Sequence, residues 1–205
     1  MPGVRPQDFN KGVALSPGLD IAALRRAIEH VQNELKELVD LYYEQANIFS
    51  GLVGIYSARA LDSFSVYEKS KHSYTAQQRF PDLRRRGAKE PLKPDDCLES
   101  KASKRAWDLQ SHYNHAGWYI VWRYLVDPTE TIEPGFPVLI WRVDVVRLEE
   151  ADWKYEGSKA GVGRGGRTHT FGVKQAAKRL RDCAVYERSD IAVRGGKPVP
   201  VNGRP

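Results

Sequence analysis

Apolar residues recur at steps of three and four from Ile21 through Leu24, Ile28, Val31, Leu35 and Leu38 to Tyr42, with charged residues on the other face. This near-heptad spacing predicts a long amphipathic helix over residues 21–47, introduced by Asp20 as N-cap. Three heptads suffice for packing against another helix, within the chain or across a dimer. Ser50-Gly51 and Gly54 predict a bend, followed by a second helix over 52–63 that buries Leu52, Ile55, Tyr56 and Leu61. The β-prone Phe64–Tyr67 predicts a first strand, and the polar residues 68–79 a loop.

Beyond this the pattern changes to strands. Phe80 and Leu83 anchor a short strand over 80–86, and Gly87 to Asp96, with Pro91 and Pro94, is a turn region. Cys97 to Ser103 alternates, placing Cys97, Glu99, Lys101 and Ser103 on one side and Leu98, Ser100 and Ala102 on the other. The two strands read as a hairpin-like pair that brings Asp82 near Glu99 and Lys101. Residues 105–114 predict a short helix with Trp107 and Leu109 inward. Residues 117–127 and 137–148 are almost continuously apolar, which predicts strands covered on both faces in the middle of a sheet. Trp118, Trp122 and Trp141 lie in these strands and are expected in the core. Residues 157–173 are rich in glycine and basic residues and predict a mobile cationic loop. A helix over 173–187 follows, with Val173, Ala176, Ala177, Leu180 and Ala184 on its apolar side, and then an irregular tail. The expected organisation is a lead-in and long helix over 1–49, a core domain over 50–189, and a tail over 190–205. The expected class is α/β, a mixed central sheet flanked by helices with an N-terminal helical extension.

Composition adds three constraints. An apolar fraction of 41% with five Trp, ten Tyr and six Phe supplies a core, which excludes a wholly disordered chain. No apolar run reaches transmembrane length and the N-terminus lacks an apolar signal segment, so no membrane partner is expected. Cys97 and Cys183 form neither a disulfide framework nor a zinc spacing, and a reducing cytoplasm is the expected setting.

Charge is uneven. Of the net +6, residues 158–205 carry +8, from 11 Lys/Arg against three acids, and the remainder carries −2. A basic segment on a near-neutral body suits a polyanion, most simply nucleic acid.

The candidate chemistry sits at Pro81-Asp82 and Glu99-Ser100-Lys101. Phosphodiester hydrolysis by a bound metal needs two hard anionic oxygen ligands, which Asp and Glu supply to Mg²⁺. A lysine two residues after the glutamate on a strand shares its face, about 6.5–7 Å along it, and can orient water or offset charge on phosphate. The arrangement resembles the PD-(D/E)xK nuclease superfamily, with its restriction-endonuclease-like fold, over roughly residues 50–126.

That resemblance implies a Mg²⁺-dependent DNA endonuclease of type II restriction type, acting on double-stranded DNA as a homodimer, since cutting both strands at a two-fold site needs two centres. Asp82 and Glu99 would be metal ligands, with the Ser100 carbonyl as a third, and Lys101 the catalytic lysine. Many members carry a further Glu on the preceding helix. Here 52–63 offers only Asp62, with Glu44 or Glu37 as substitutes. A competing register would use Asp95 or Asp96 in place of Asp82. Arg84, Arg85, Arg86, Lys104 and Arg105 flank the site, and Arg164, Arg167, His169 and Lys174 follow in the basic quarter; all are candidate DNA contacts. His112 and His115 are expected to face solvent or DNA. The alternatives are a non-catalytic nucleic-acid-binding or adaptor protein, in which Glu99 and Lys101 form a weak surface pair, and an RNA-directed nuclease.

Overall fold

The computed structural model describes residues 3–71, 79–159 and 168–201. Three helices come first: α1 (Ile21–Leu35), α2 (Val39–Glu44) and α3 (Ala46–Phe64). Strands β1 (Tyr67–Lys69), β2 (Leu83–Arg85), β3 (Cys97–Ser103), β4 (Gln110–Ser111), β5 (Gly117–Val126) and β6 (Val138–Leu148) follow. The last part holds β7 (Trp153–Lys159), β8 (Thr168–Val173), α4 (Ala176–Leu180), β9 (Ala184–Glu187), β10 (Ile191–Arg194) and β11 (Lys197–Pro200). A mixed six-stranded sheet in the order β1-β2-β3-β5-β6-β9 forms the centre. Its neighbours are antiparallel except β3 and β5, which run parallel with Glu99 beside Tyr119 and Lys101 beside Val121.

The predicted mixed α/β architecture with a central sheet flanked by helices is observed. β5 and β6 are buried on both faces, as their unbroken apolar runs require. Ile120, Trp122, Tyr124, Val143 and Val145 pack under α1 and α3. Tyr119, Val121, Val146 and Leu148 face a second layer, the sheet β4-β8-β7, with Trp153, Val173 and Leu180. Trp122 and Trp141 are fully buried.

Asp20 caps α1, its Oδ1 accepting from the Ala23 amide at 2.7 Å. The predicted 21–47 helix is interrupted, however. It passes through a 3₁₀ turn at Lys36–Leu38 and breaks at Gln45, whereas α3 runs without interruption through Gly51 and Gly54. A single helix of that length would extend about 40 Å and leave its apolar stripe uncovered. The break lets α3 fold back along α1, so that Arg26 and His30 meet Phe64. Leu24, Ile28, Val31 and Leu35 are therefore buried within the chain and are not available as a dimer face. Gln32 on α1 accepts from the Ile140 amide of β6 at 2.8 Å, and the residue-49 boundary falls inside α3, so α1 belongs to the body of the domain.

Five further expectations are corrected. Residues 105–114 are not helical. The buried Arg123 guanidinium takes the carbonyls of Arg105 and Asp108, the Leu109 carbonyl accepts from Val173, and Gln110–Ser111 pair with β8. The 157–173 segment contributes the end of β7 and all of β8, while residues 160–167 lie outside the described set. The 173–187 helix shrinks to α4, entered through Gln175 at φ +49°. Residues 184–187 instead pair with β6, which buries Val185 and Tyr186. Finally, β10 and β11 form a hairpin in the expected irregular tail, turned by Gly195 and Gly196 at positive φ. The first strand also lies later than predicted, at 67–69.

Candidate functional site

The antiparallel pairing of β2 and β3 sets Leu83 opposite Leu98 and Arg84 opposite Cys97. Continued by one residue, that register places Asp82 opposite Glu99. The Asp82 amide donates to Glu99 Oε2 at 2.9 Å, and the Ser100 amide donates to Asp82 Oδ2 at 3.1 Å. The Asp82 carbonyl accepts from the Ser70 amide at 3.0 Å, which ties β1 to the same point. Lys101 Nζ reaches Glu99 Oε1 at 2.5 Å. The alternation of β3 thus has the consequence read from its sequence: Glu99 and Lys101 share a face, while Leu98 enters the core beneath the helices.

Lys69 completes the group. Its Nζ lies 3.6 Å from Asp82 Oδ1, so each carboxylate has one lysine beside it. Sequence reasoning assigned Lys69 to a polar loop. A signal would have been available only if β1 had been extended two residues past the aromatic run. These residues open into a cleft of about 610 Å³, whose other lining comes from Ser50, Gly51, Gly54, Ile55 and Ala58 of α3 and from His112 and Tyr113.

Glu99 is only 4% exposed. Burial pushes its carboxyl pKa up and the charge of Asp82 adds to this, while Lys101 and the Asp82 amide oppose it. Tyr119, buried beside it, has its hydroxyl pKa pushed up, first by burial and then by the Glu99 charge. The Cys97 thiol is pushed up to about 11, chiefly by burial and further by Asp96, Glu90 and Glu99, which makes it a poor nucleophile. Ser100 is held through its hydroxyl, which accepts from Trp122 Nε1 at 3.1 Å.

Asp82 is thus the acid beside Glu99. Asp95 instead pairs with Arg147 at 2.9 Å, and Asp96 with Arg85 at 2.6 Å. Among the described residues lining the cleft, α3 contributes no carboxylate. Asp62 pairs with Arg86 at 2.6 Å, Glu37 lies near Lys36 at 3.7 Å, and Glu44 is exposed on α2.

The candidate DNA contacts are largely engaged within the chain. Arg84 pairs with Glu68 at 3.0 Å, and Arg86 with both Asp62 and Glu68. Arg105 pairs with Asp108 at 2.9 Å, and Lys104 lies 4.9 Å from the ring centre of Tyr42. Lys174 donates to the Ala151 carbonyl at 2.8 Å. His169 is exposed on β8, its Nδ1 3.2 Å from the Tyr155 hydroxyl. Arg164 and Arg167 lie outside the described residues.

Among the described residues, no group of three or more His, Cys, Asp or Glu side chains is arranged to hold a metal. The donor set nevertheless fits Mg²⁺, which takes one or two carboxylates and fills its remaining positions with water and phosphate. Asp82 and Glu99 each use one oxygen on a backbone amide and turn the other toward a lysine. Those two outer oxygens are the ones a cation would share with Lys69 and Lys101. Comparison with known protein families, with curated proteins and with solved structures found no match.

Proposed function

We propose that this protein is a Mg²⁺-dependent nuclease that hydrolyses DNA phosphodiester bonds. The observation that carries the reading is the convergence of Asp82, Glu99 and Lys101 in one cleft, the two acids locked together by each other's strand amides. The order α3, β1 to β3, then an apolar β5 parallel to β3 agrees with a restriction-endonuclease-like core. The non-helical link between β3 and β5 departs from it.

In this reading Asp82 and Glu99 hold the metal. Bound there, Mg²⁺ would supply Lewis acidity toward a phosphoryl oxygen and lower the pKa of a coordinated water. The Lys101 ammonium, 2.5 Å from Glu99 Oε1, would orient the attacking water or offset charge developing on the phosphate. Lys69 does the same beside Asp82. A restriction-type role on double-stranded DNA as a homodimer belongs to the same proposal. The two-fold contact would have to use a surface other than the heptad stripe of α1, which is consumed in the core.

The test is incubation with plasmid DNA and Mg²⁺, repeated with EDTA and with Glu99→Gln and Lys101→Ala. Cutting that needs Mg²⁺ and both residues supports the proposal. Absence of cutting on varied DNA, or cutting unchanged by both substitutions, overturns it; an RNA substrate in parallel separates a ribonuclease. The lysine already facing each carboxylate favours a second reading, a charge-neutral structural cluster in a non-catalytic nucleic-acid-binding module. Steeply salt-dependent binding without cleavage is its signature.

A further inference from the structure

The segment between β4 and β5 completes the cleft with His112 and Tyr113. Tyr113 is 37% exposed, yet its position is fixed from behind by a series of rings. Its ring stacks on His115 with centroids 5.3 Å apart and planes 26° apart. His115 lies 4.7 Å from Phe80, and Phe80 lies 6.1 Å from the fully buried Tyr119. Hydrogen bonds hold the series in place. The Tyr119 hydroxyl donates to the His115 carbonyl at 2.9 Å, and the Tyr113 amide donates to the hydroxyl of buried Ser111 at 3.2 Å. His112 Nδ1 lies 3.2 Å from the His169 carbonyl, and since that oxygen can only accept, the proton sits on Nδ1 and pins the segment to β8. A series of rings thus runs from the buried Tyr119 through the half-buried Phe80 and the exposed His115 to the exposed face of Tyr113 at the cleft.

From this series we infer that Tyr113 is a stacking platform for an unpaired nucleobase. The preferred substrate then presents at least one nucleotide out of duplex pairing beside Asp82 and Glu99. The inference rests on the nucleic-acid reading of the cleft and replaces the intact duplex of the restriction-type role with a strand that carries an unpaired base. A base within a duplex has both faces covered by its neighbours, and only an unpaired or extruded base offers a π-face to a side chain. Stacking of a base on an aromatic side chain contributes about 1–3 kcal/mol per base.

The experiment measures binding by fluorescence anisotropy in EDTA, with a labelled 12-nucleotide single strand and the blunt duplex of the same sequence. The proteins are the wild type, Tyr113→Ala and Tyr113→Phe. The expected result is tighter binding of the single strand than of the duplex. Tyr113→Ala should weaken single-strand binding by about 5- to 150-fold, the equivalent of the stacking free energy, and Tyr113→Phe should retain it. Single-strand binding unchanged in Tyr113→Ala, a duplex bound as tightly as the single strand, or binding of neither oligonucleotide overturns the inference. Plasmid cleavage in Mg²⁺ on the same preparations separates the two proposals. Tyr113-dependent binding without cutting leaves the stacking site standing and removes the nuclease. Cutting with Tyr113-independent binding does the reverse.

Discussion

Asp82 and Glu99 are bound reciprocally: the amide of Asp82 donates to the Glu99 carboxylate, and the amide after Glu99, that of Ser100, donates to Asp82. The two acids are therefore both the candidate chemistry and the clasp between β2 and β3. This dual role separates variants that break the fold from variants that break the chemistry. Asp82→Ala leaves the Ser100 amide without its acceptor and should lower stability by about 1–3 kcal/mol in urea unfolding. Asp82→Asn keeps an acceptor oxygen and should unfold near the wild-type midpoint while abolishing Mg²⁺-dependent cleavage.

The raised pKa of Glu99 has a defined sign. Because burial holds the folded value above the ordinary 4.5, the folded state binds the proton more tightly than the unfolded chain does. The stabilisation is complete below that ordinary value and is lost as pH rises through the raised folded value. Asp82, Lys101, Tyr119 and Cys97 share its environment. Glu99→Gln should remove this pH dependence, so the stability gap between variant and wild type widens in favour of Gln as pH rises from the ordinary 4.5 through the raised folded value.

A second buried charge cluster holds the outer layer in place. Arg123 and Arg142 both donate to Asp144, at 2.8 and 2.6 Å, with all three side chains almost fully buried. Arg142 also reaches the Leu180 carbonyl at 2.8 Å and Arg123 the Arg105 carbonyl at 2.8 Å. Asp144→Ala would leave the buried Arg123 guanidinium without a carboxylate partner and Arg142 with Glu187 alone, at 3.0 Å. It should cost about 3–5 kcal/mol, read as a loss in the urea midpoint at constant slope.

Gly51 and Gly54 stand on the cleft side of α3, and a Cβ at either would meet nothing within 4 Å. Glycine in a helix interior is less stable than alanine by about 0.5–1 kcal/mol. Gly54→Ala should therefore stabilise the protein by about that amount. Gly54→Leu should leave the unfolding midpoint no lower than the wild type and cut cleavage by up to about 100-fold, because the larger side chain fills the space beside the acids.

The elements that were legible in the sequence are those whose cause is local. Asp20 caps α1 because its carboxylate lies three residues from the amide it accepts. β3 was readable with its faces because alternation needs only consecutive residues. The unbroken apolar runs of β5 and β6 already implied cover on both sides. Asp82, Glu99 and Lys101 could be grouped from the turn region between them and the strand parity, although their meeting depended on the β2–β3 register.

What tertiary structure decided lies where backbone groups have a choice of partner. Residues 105–114 carry a pattern compatible with a helix, but the carbonyls of Arg105 and Asp108 go to Arg123, 18 and 15 residues away. Residues 184–187 leave the predicted helix because pairing with β6 buries Val185 and Tyr186. Lys69 reaches Asp82 only because β1 pairs with β2. Periodicity, capping and charge are properties of neighbouring residues and can be read along the chain. The partner of a strand edge, a buried guanidinium or a half-exposed lysine depends on distant segments folding together, and that free energy is carried by no short stretch of sequence.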